Sequence, residues 1–158
     1  GRINNRMKLL SKEDVMFVNE LKKKYGSCAG GSVPEYFIYE ALKCTLGKYK
    51  VMYRYTPYGN EFDIYIEDGK NRYAIFYNGY YYHFDRYQND QEIINRTKKY
   101  GIKCICVAEN ECLLKNCEVI LCSSYHTIST LCDIVNRIID IITNRSGIYF
   151  LKTEKLKI

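Results

Sequence analysis

The stretch NEFDIYIEDGKNRYAIFYNGYYYH, Asn60 to His83, limits what this chain can fold into more than any other. Residues 61–66 alternate, with Phe62, Ile64 and Ile66 on one side and Glu61, Asp63 and Tyr65 on the other. That is the period of a half-buried β-strand. Asp68-Gly69 supplies a turn that accepts positive φ, and Arg72 to Tyr77 returns as a β-branched and aromatic run. The segment therefore predicts a β-hairpin. Its second strand runs into Asn78-Gly79, then Tyr80, Tyr81, Tyr82 and His83. A carboxylate pair, Glu61 and Asp63, facing a strand that ends beside a glycine and a histidine can hold a divalent metal next to a phosphate.

The flanking segments build a domain around that hairpin. Ser11 and Asp14 open a helix whose stripe is Val15, Met16, Val18 and Leu21, and Gly26 closes it. Ser32-Val33-Pro34-Glu35 reads as a capping box that starts a second helix, with a core face of Tyr36 or Phe37, Ile38, Ala41 and Leu42 and an end at Gly47. Tyr49 to Tyr55 is a strand that pairs with the hairpin. From Asp85 to Tyr100 the pattern is helical, with Ile93, Ile94 and Thr97 inward and Gly101 as the stop. Ile102 to Ala108 reads as a buried strand after a crossover helix. Val119 to Cys122 is a further short strand, and Thr127 to Asn144 a long amphipathic helix. The order α-α-β-β-β-α-β-β-α predicts an α/β fold with one mixed sheet. It divides into an N-terminal helix and linker over 1–31, a core over 32–122, and a C-terminal helix and tail over 123–158.

At 158 residues, 47% hydrophobic and 27% charged, the chain has the composition of a globular domain with a full core. No run reaches the roughly 18 apolar residues of a membrane span, and no signal peptide is visible; a soluble, cytoplasmic protein with no membrane partner is expected. The net charge of +6 favours a polyanionic partner. Seventeen tyrosines and no tryptophan suit surfaces where a ring has one dry and one wet end. The eight cysteines include no CxxC pair, and Cys112 and Cys117 have no diagnostic zinc spacing. Buried thiols are expected, not a disulfide framework.

Four segments in order resemble the PD-(D/E)XK restriction-endonuclease-like superfamily, and most closely the very short patch repair endonucleases. SVPEYFIYEAL looks like the family's first helix with its leading Glu, and EFDIYI like its metal-bearing strand. AIFYNGYYYH looks like the strand that follows, and DQEIINRTKKYGIKCICVAENECL like the helix, glycine turn and last strand. The resemblance implies a restriction-endonuclease-like mixed sheet flanked by helices, with an extra C-terminal amphipathic helix. It also implies metal-dependent hydrolysis of DNA by an endonuclease or nickase.

Carried over residue by residue, it makes Asp63, the carbonyl of Tyr77 and Glu61 ligands of Mg2+, with no zinc expected because Tyr80 and the residues just after His83 offer no thiol or second histidine. His83 becomes the group that moves a proton, as the one side chain of the stretch that titrates near neutrality. Glu35 orients His83 or a water. Asn78 stands where the repair enzymes have His, and it holds a water or phosphate oxygen without carrying a proton. Tyr80, Tyr81 and Tyr82 would stack on bases, and Arg86, Arg96, Lys98 and Lys99 would take DNA phosphates. Phe76 and Asn78, where related small proteins have Glu and Asp, favour a second reading. In it the nuclease fold has lapsed and serves as a DNA- or protein-binding module, for instance in a mobile element, a larger nuclease or a phage counter-defence factor.

Overall fold

The computed structural model describes residues 33–78, 84–109, 111–122 and 128–143, with Glu20 and Lys23. The elements are α1 (Val33–Thr45), β1 (Lys50–Tyr55), β2 (Phe62–Glu67), β3 (Arg72–Asn78), α2 (Phe84–Lys99), β4 (Lys103–Glu109), β5 (Glu118–Cys122) and α3 (Ile128–Thr143). The chain is α/β with a five-stranded mixed sheet, in the order β1-β2-β3-β4-β5. Of the expected first helix only Glu20 and Lys23 are described, both helical; the tail after Thr143 lies outside the described residues. No described helix is long and apolar enough to cross a membrane.

These elements fall into two compact units, α1 with α3 and the sheet with α2. In the first, the two helices pack on one another. Helix α1 buries Phe37, Ile38, Ala41 and Leu42, at the i, i+1, i+4, i+5 positions of one helical face. Helix α3 buries Ile128, Leu131, Ile134, Val135, Ile138, Ile139 and Ile142, together with Cys132 and Asn136.

In the second unit β1, β2 and β3 are antiparallel, and β3, β4 and β5 parallel. A parallel pair needs a crossover of about a dozen residues or more, and α2 provides it between β3 and β4. The register sets Ile64 opposite Ile75 and Ile75 opposite Ile105, so these three lie on one face. They are buried, as are Ile66, Val107 and Ile120. The other face carries Cys104 and Cys106, which form a core with Ile94 of α2 and Leu114; Phe76 packs against it. Ile94 and Thr97 are buried as their helical spacing predicts, while Ile93 is half-buried.

Phe62 departs from the expected alternation. Instead of sharing a face with Ile64 and Ile66, it packs in one cluster with Tyr65, Ala74 and Ile102, to which Met52, Tyr55 and Phe76 add. The strand pairing skips the neighbouring Asp63, as described below.

Two glycines stand where only a left-handed backbone closes the chain. Gly69 has φ of 93° in the β2–β3 turn, which is fastened by Asp68 Oδ1 accepting from the N–H of Lys70 at 2.9 Å and of Asn71 at 2.7 Å. Gly101 has φ of 79°, and its N–H donates to Lys98 O at 2.9 Å, ending α2. A methyl group at Gly69 would touch nothing within 4 Å, so its whole cost is backbone strain. Gly69→Ala is expected to lower stability by about 1 kcal/mol in urea unfolding. Gly47→Ala, which also meets nothing within 4 Å, should leave stability unchanged or raise it by about 0.5 kcal/mol.

The backbone N–H groups of Asn71 and then Lys70 hold the Asp68 carboxyl below its usual range. A depressed carboxyl contributes stability that is complete above the unfolded-state pKa. That contribution is lost as pH falls through the lower folded-state value. Asp68→Asn should therefore flatten the acid limb of a stability-versus-pH curve by lowering its neutral region, while the acid end, where the wild-type carboxyl is protonated, stays nearly unmoved.

Candidate functional site

The sheet breaks at Asp63 on both sides. The β1–β2 register pairs Tyr53 with Ile64 and Tyr55 with Phe62, passing over Arg54 and Asp63. Arg54 sits there with φ of 53°, a conformation costing a non-glycine residue on the order of 1 kcal/mol. Its Nε donates to Glu61 Oε1 at 2.7 Å. That half-exposed pair offsets about 0.2–1 kcal/mol of the strain. The kink turns Tyr55 toward Tyr65, with ring centroids 4.9 Å apart, and Phe62 toward Phe76, edge to face at 5.7 Å.

On the other side, β2–β3 partners run from Glu67 with Arg72 to Ile64 with Ile75. Beyond them the N–H of Tyr77 donates to Asp63 Oδ2 at 2.7 Å. A side-chain carboxylate has thus replaced a main-chain carbonyl as the ladder acceptor. A charge-assisted bond of this kind is worth more than the neutral one it replaces.

Tyr77 links this point to the ends of β4 and β5. Its hydroxyl donates to Glu109 Oε2 at 3.2 Å. Burial first, then the neighbouring Cys122 and Glu109, push the phenol far above its ordinary value. It remains a neutral hydrogen-bond donor at any physiological pH. Cys122 Sγ lies 3.5 Å from Ala108 O, closing the same corner.

The structure therefore brings together Asp63 and Tyr77, and ties Glu61 to Arg54. Glu35 lies on α1, in the helical unit. Asn78 ends β3, but its side chain, like that of Arg86 on α2, lies outside the described residues, as do Gly79, Tyr80, Tyr81, Tyr82 and His83. Arg96, Lys98 and Lys99 are exposed in the last turns of α2, where cations also complement the helix dipole. Lys98 Nζ reaches Asn116 Oδ1 at 3.5 Å. Among the described residues, no three His, Cys, Asp or Glu side chains cluster so as to hold a metal ion. The group that Tyr77 turns to the Asp63 carboxylate is its N–H, not its carbonyl oxygen.

Two features have no counterpart in the sequence reading. One is Arg54, whose left-handed backbone carries no signal because arginine rarely adopts it. The other is the polar stripe Tyr87, Gln91, Asn95 and Lys98 along α2, which fastens the segment before β5. Tyr87 Oη accepts from Leu113 N at 3.0 Å and donates to Glu111 O at 3.3 Å. Gln91 exchanges two bonds with the Lys115 backbone, at 2.7 and 2.8 Å, and Asn95 Oδ1 accepts from Asn116 Nδ2 at 3.1 Å. Helical i, i+4, i+8 spacing was the available signal, and it is also the spacing of a solvated face.

No family model, curated protein or solved structure matches the chain. The site is accordingly built from its own residues.

Arg54→Gly should leave stability unchanged or raise it by about 0.5 kcal/mol, because relief of strain and loss of the surface pair nearly cancel. Arg54→Val forces a β-branched residue into the same φ and should cost about 1–2 kcal/mol. Equal unfolding midpoints for the two variants would mean that residue 54 is not left-handed.

Proposed function

We propose that this chain is a DNA-binding module built on a nuclease-like sheet whose hydrolytic set has lapsed. The observation that carries the reading is the bond from Tyr77 N–H to Asp63 Oδ2, which gives the acidic residue expected to hold metal a place in the sheet. Two further features agree with it. Glu61 is drawn to Arg54, and Phe76 packs into the apolar core at the position where the family that the sequence resembles carries a carboxylate. DNA would meet the exposed cations of α2, Arg96, Lys98 and Lys99, with Arg86 and the tyrosines Tyr80, Tyr81 and Tyr82 as further contacts. A protein partner is the other occupant this reading allows.

A second reading rests on the family resemblance. Asp63 adjoins the residue whose carbonyl the family resemblance makes a metal ligand, so a short-patch-repair-type endonuclease or nickase remains a coherent proposal. Asp63, the carbonyl of Tyr77 and Glu61 would hold Mg2+, which supplies Lewis-acid polarisation of a phosphodiester when bound. His83 would move the proton, with Asn78 holding a phosphate oxygen.

Duplex DNA binding measured by fluorescence anisotropy over a salt series, with Asp63→Asn and the Arg96→Ala/Lys99→Ala pair, decides between them. The module reading expects salt-dependent binding whose log–log slope falls by about 0.9 for each cation removed. It also expects Asp63→Asn to bind as the wild type does. Calorimetric Mg2+ binding together with nicking of supercoiled DNA, both abolished in Asp63→Asn, would replace the module reading with the enzyme. Absence of DNA binding at low salt would sink both.

A further inference from the structure

Seven cysteines are described, all as reduced thiols, and two of them face each other: Cys112 Sγ lies 4.0 Å from Cys106 Sγ. Cys106 is fully buried on β4, whereas Cys112 is half-buried in the segment that leads back to β5. That segment is held against α2 by Tyr87, Gln91 and Asn95 on both flanks of Cys112 and beyond, through bonds to Leu113, Lys115 and Asn116. The approach of the two sulfurs is therefore set by a fastened backbone, not by one loose side chain. A disulfide needs about 2.05 Å between sulfurs, so the two must close by roughly 2 Å, within the reach of side-chain rotation.

We propose that Cys106 and Cys112 form a reversible dithiol–disulfide couple, oxidised by hydrogen peroxide. The Cys112 sulfur, the accessible member, attacks one peroxide oxygen; the O–O bond breaks, one water leaves and Cys112 becomes a sulfenic acid. The Cys106 sulfur then attacks the Cys112 sulfur, the S–O bond breaks, and the second water leaves with the Cys106 proton. Two thiols lose two electrons and two protons in all, and the peroxide takes them as two waters. The neighbouring thiols are poor rivals. Burial pushes Cys104 up to about 12, and burial, then Cys112 and Glu118, push Cys117 up to about 11. Both stay protonated and weakly nucleophilic. The crosslink would pin the segment after β4 to the sheet face under α2, three residues from the Glu109 that accepts from Tyr77.

The experiment treats the folded full chain with graded hydrogen peroxide, alkylates remaining thiols under denaturing conditions, and maps peptides by mass spectrometry. The expected result is a peptide pair joining Cys106 to Cys112, lighter by two hydrogens, a thiol count lowered by two, and full return on dithiothreitol. Cys117→Ser should keep the crosslink, and Cys112→Ser should lose it. Because the wild-type map stands without any variant, a misfolded variant does not blunt the test. Over-oxidation of Cys112 to sulfinic acid without a crosslink, a Cys112–Cys117 bridge, or an intermolecular disulfide would each overturn the proposal.

Discussion

The N–H of Tyr77 sits part-buried just past the point where the β2–β3 ladder stops, and it needs an acceptor there. Asp63 supplies one at 2.7 Å. Leaving such a donor unmet costs on the order of 1–3 kcal/mol, a large share of the stability of a small domain. The kink in β1, the left-handed Arg54 and the turning of Phe62 all accompany this substitution. The β1–β2 register is the same on both sides of Asp63, so the disturbance is local to the Arg54 and Asp63 positions.

The break has consequences across the sheet. On one face, Phe62 and Tyr55 swing toward Tyr65 and enlarge an aromatic cluster that reaches Ile102 before β4. Arg72 extends the same region, donating to Tyr58 Oη at 3.0 Å and to the carbonyl of Tyr100. Tyr58 and Tyr100 stack at 3.9 Å, so the β1–β2 connection is latched to the end of α2. Many of the tyrosines that composition marks as candidates for a wet surface are thus holding the molecule to itself. Tyr65 gives its hydroxyl to Glu67 at 2.8 Å, and Tyr77 gives its own to Glu109.

Much of the fold was legible because its signals are local. The alternation of Ile64 and Ile66 in β2, the Asp68-Gly69 turn, the stop at Gly101 and the Ile94/Thr97 stripe each map onto one backbone state. The closeness of Asp63 and Tyr77 was legible too, since a hairpin closed at Gly69 sets the two strand ends side by side. What escaped depends on contacts between distant segments. Alternation alone puts Phe62 with Ile64, and nothing in the residues 60–64 announces that Arg54 will bend the partner strand. The clamp of Tyr87, Gln91 and Asn95 on residues 111–116 reads as an ordinary polar helix face until the segment it grips is in place. Glu61 and Asp63, two apart on a strand, read as a pair, but Glu61 also pairs with an arginine seven residues earlier.

Amide hydrogen exchange at Tyr77, followed by NMR in the wild type and in Asp63→Ala, tests the central claim most directly. The account expects a slowly exchanging Tyr77 amide in the wild type. In the variant that protection should be lost selectively, while Ile75 and Ile105 deeper in the sheet keep theirs. A Tyr77 amide that exchanges equally in both proteins would mean that Asp63 does not close the ladder, and the structural role assigned to it would be wrong.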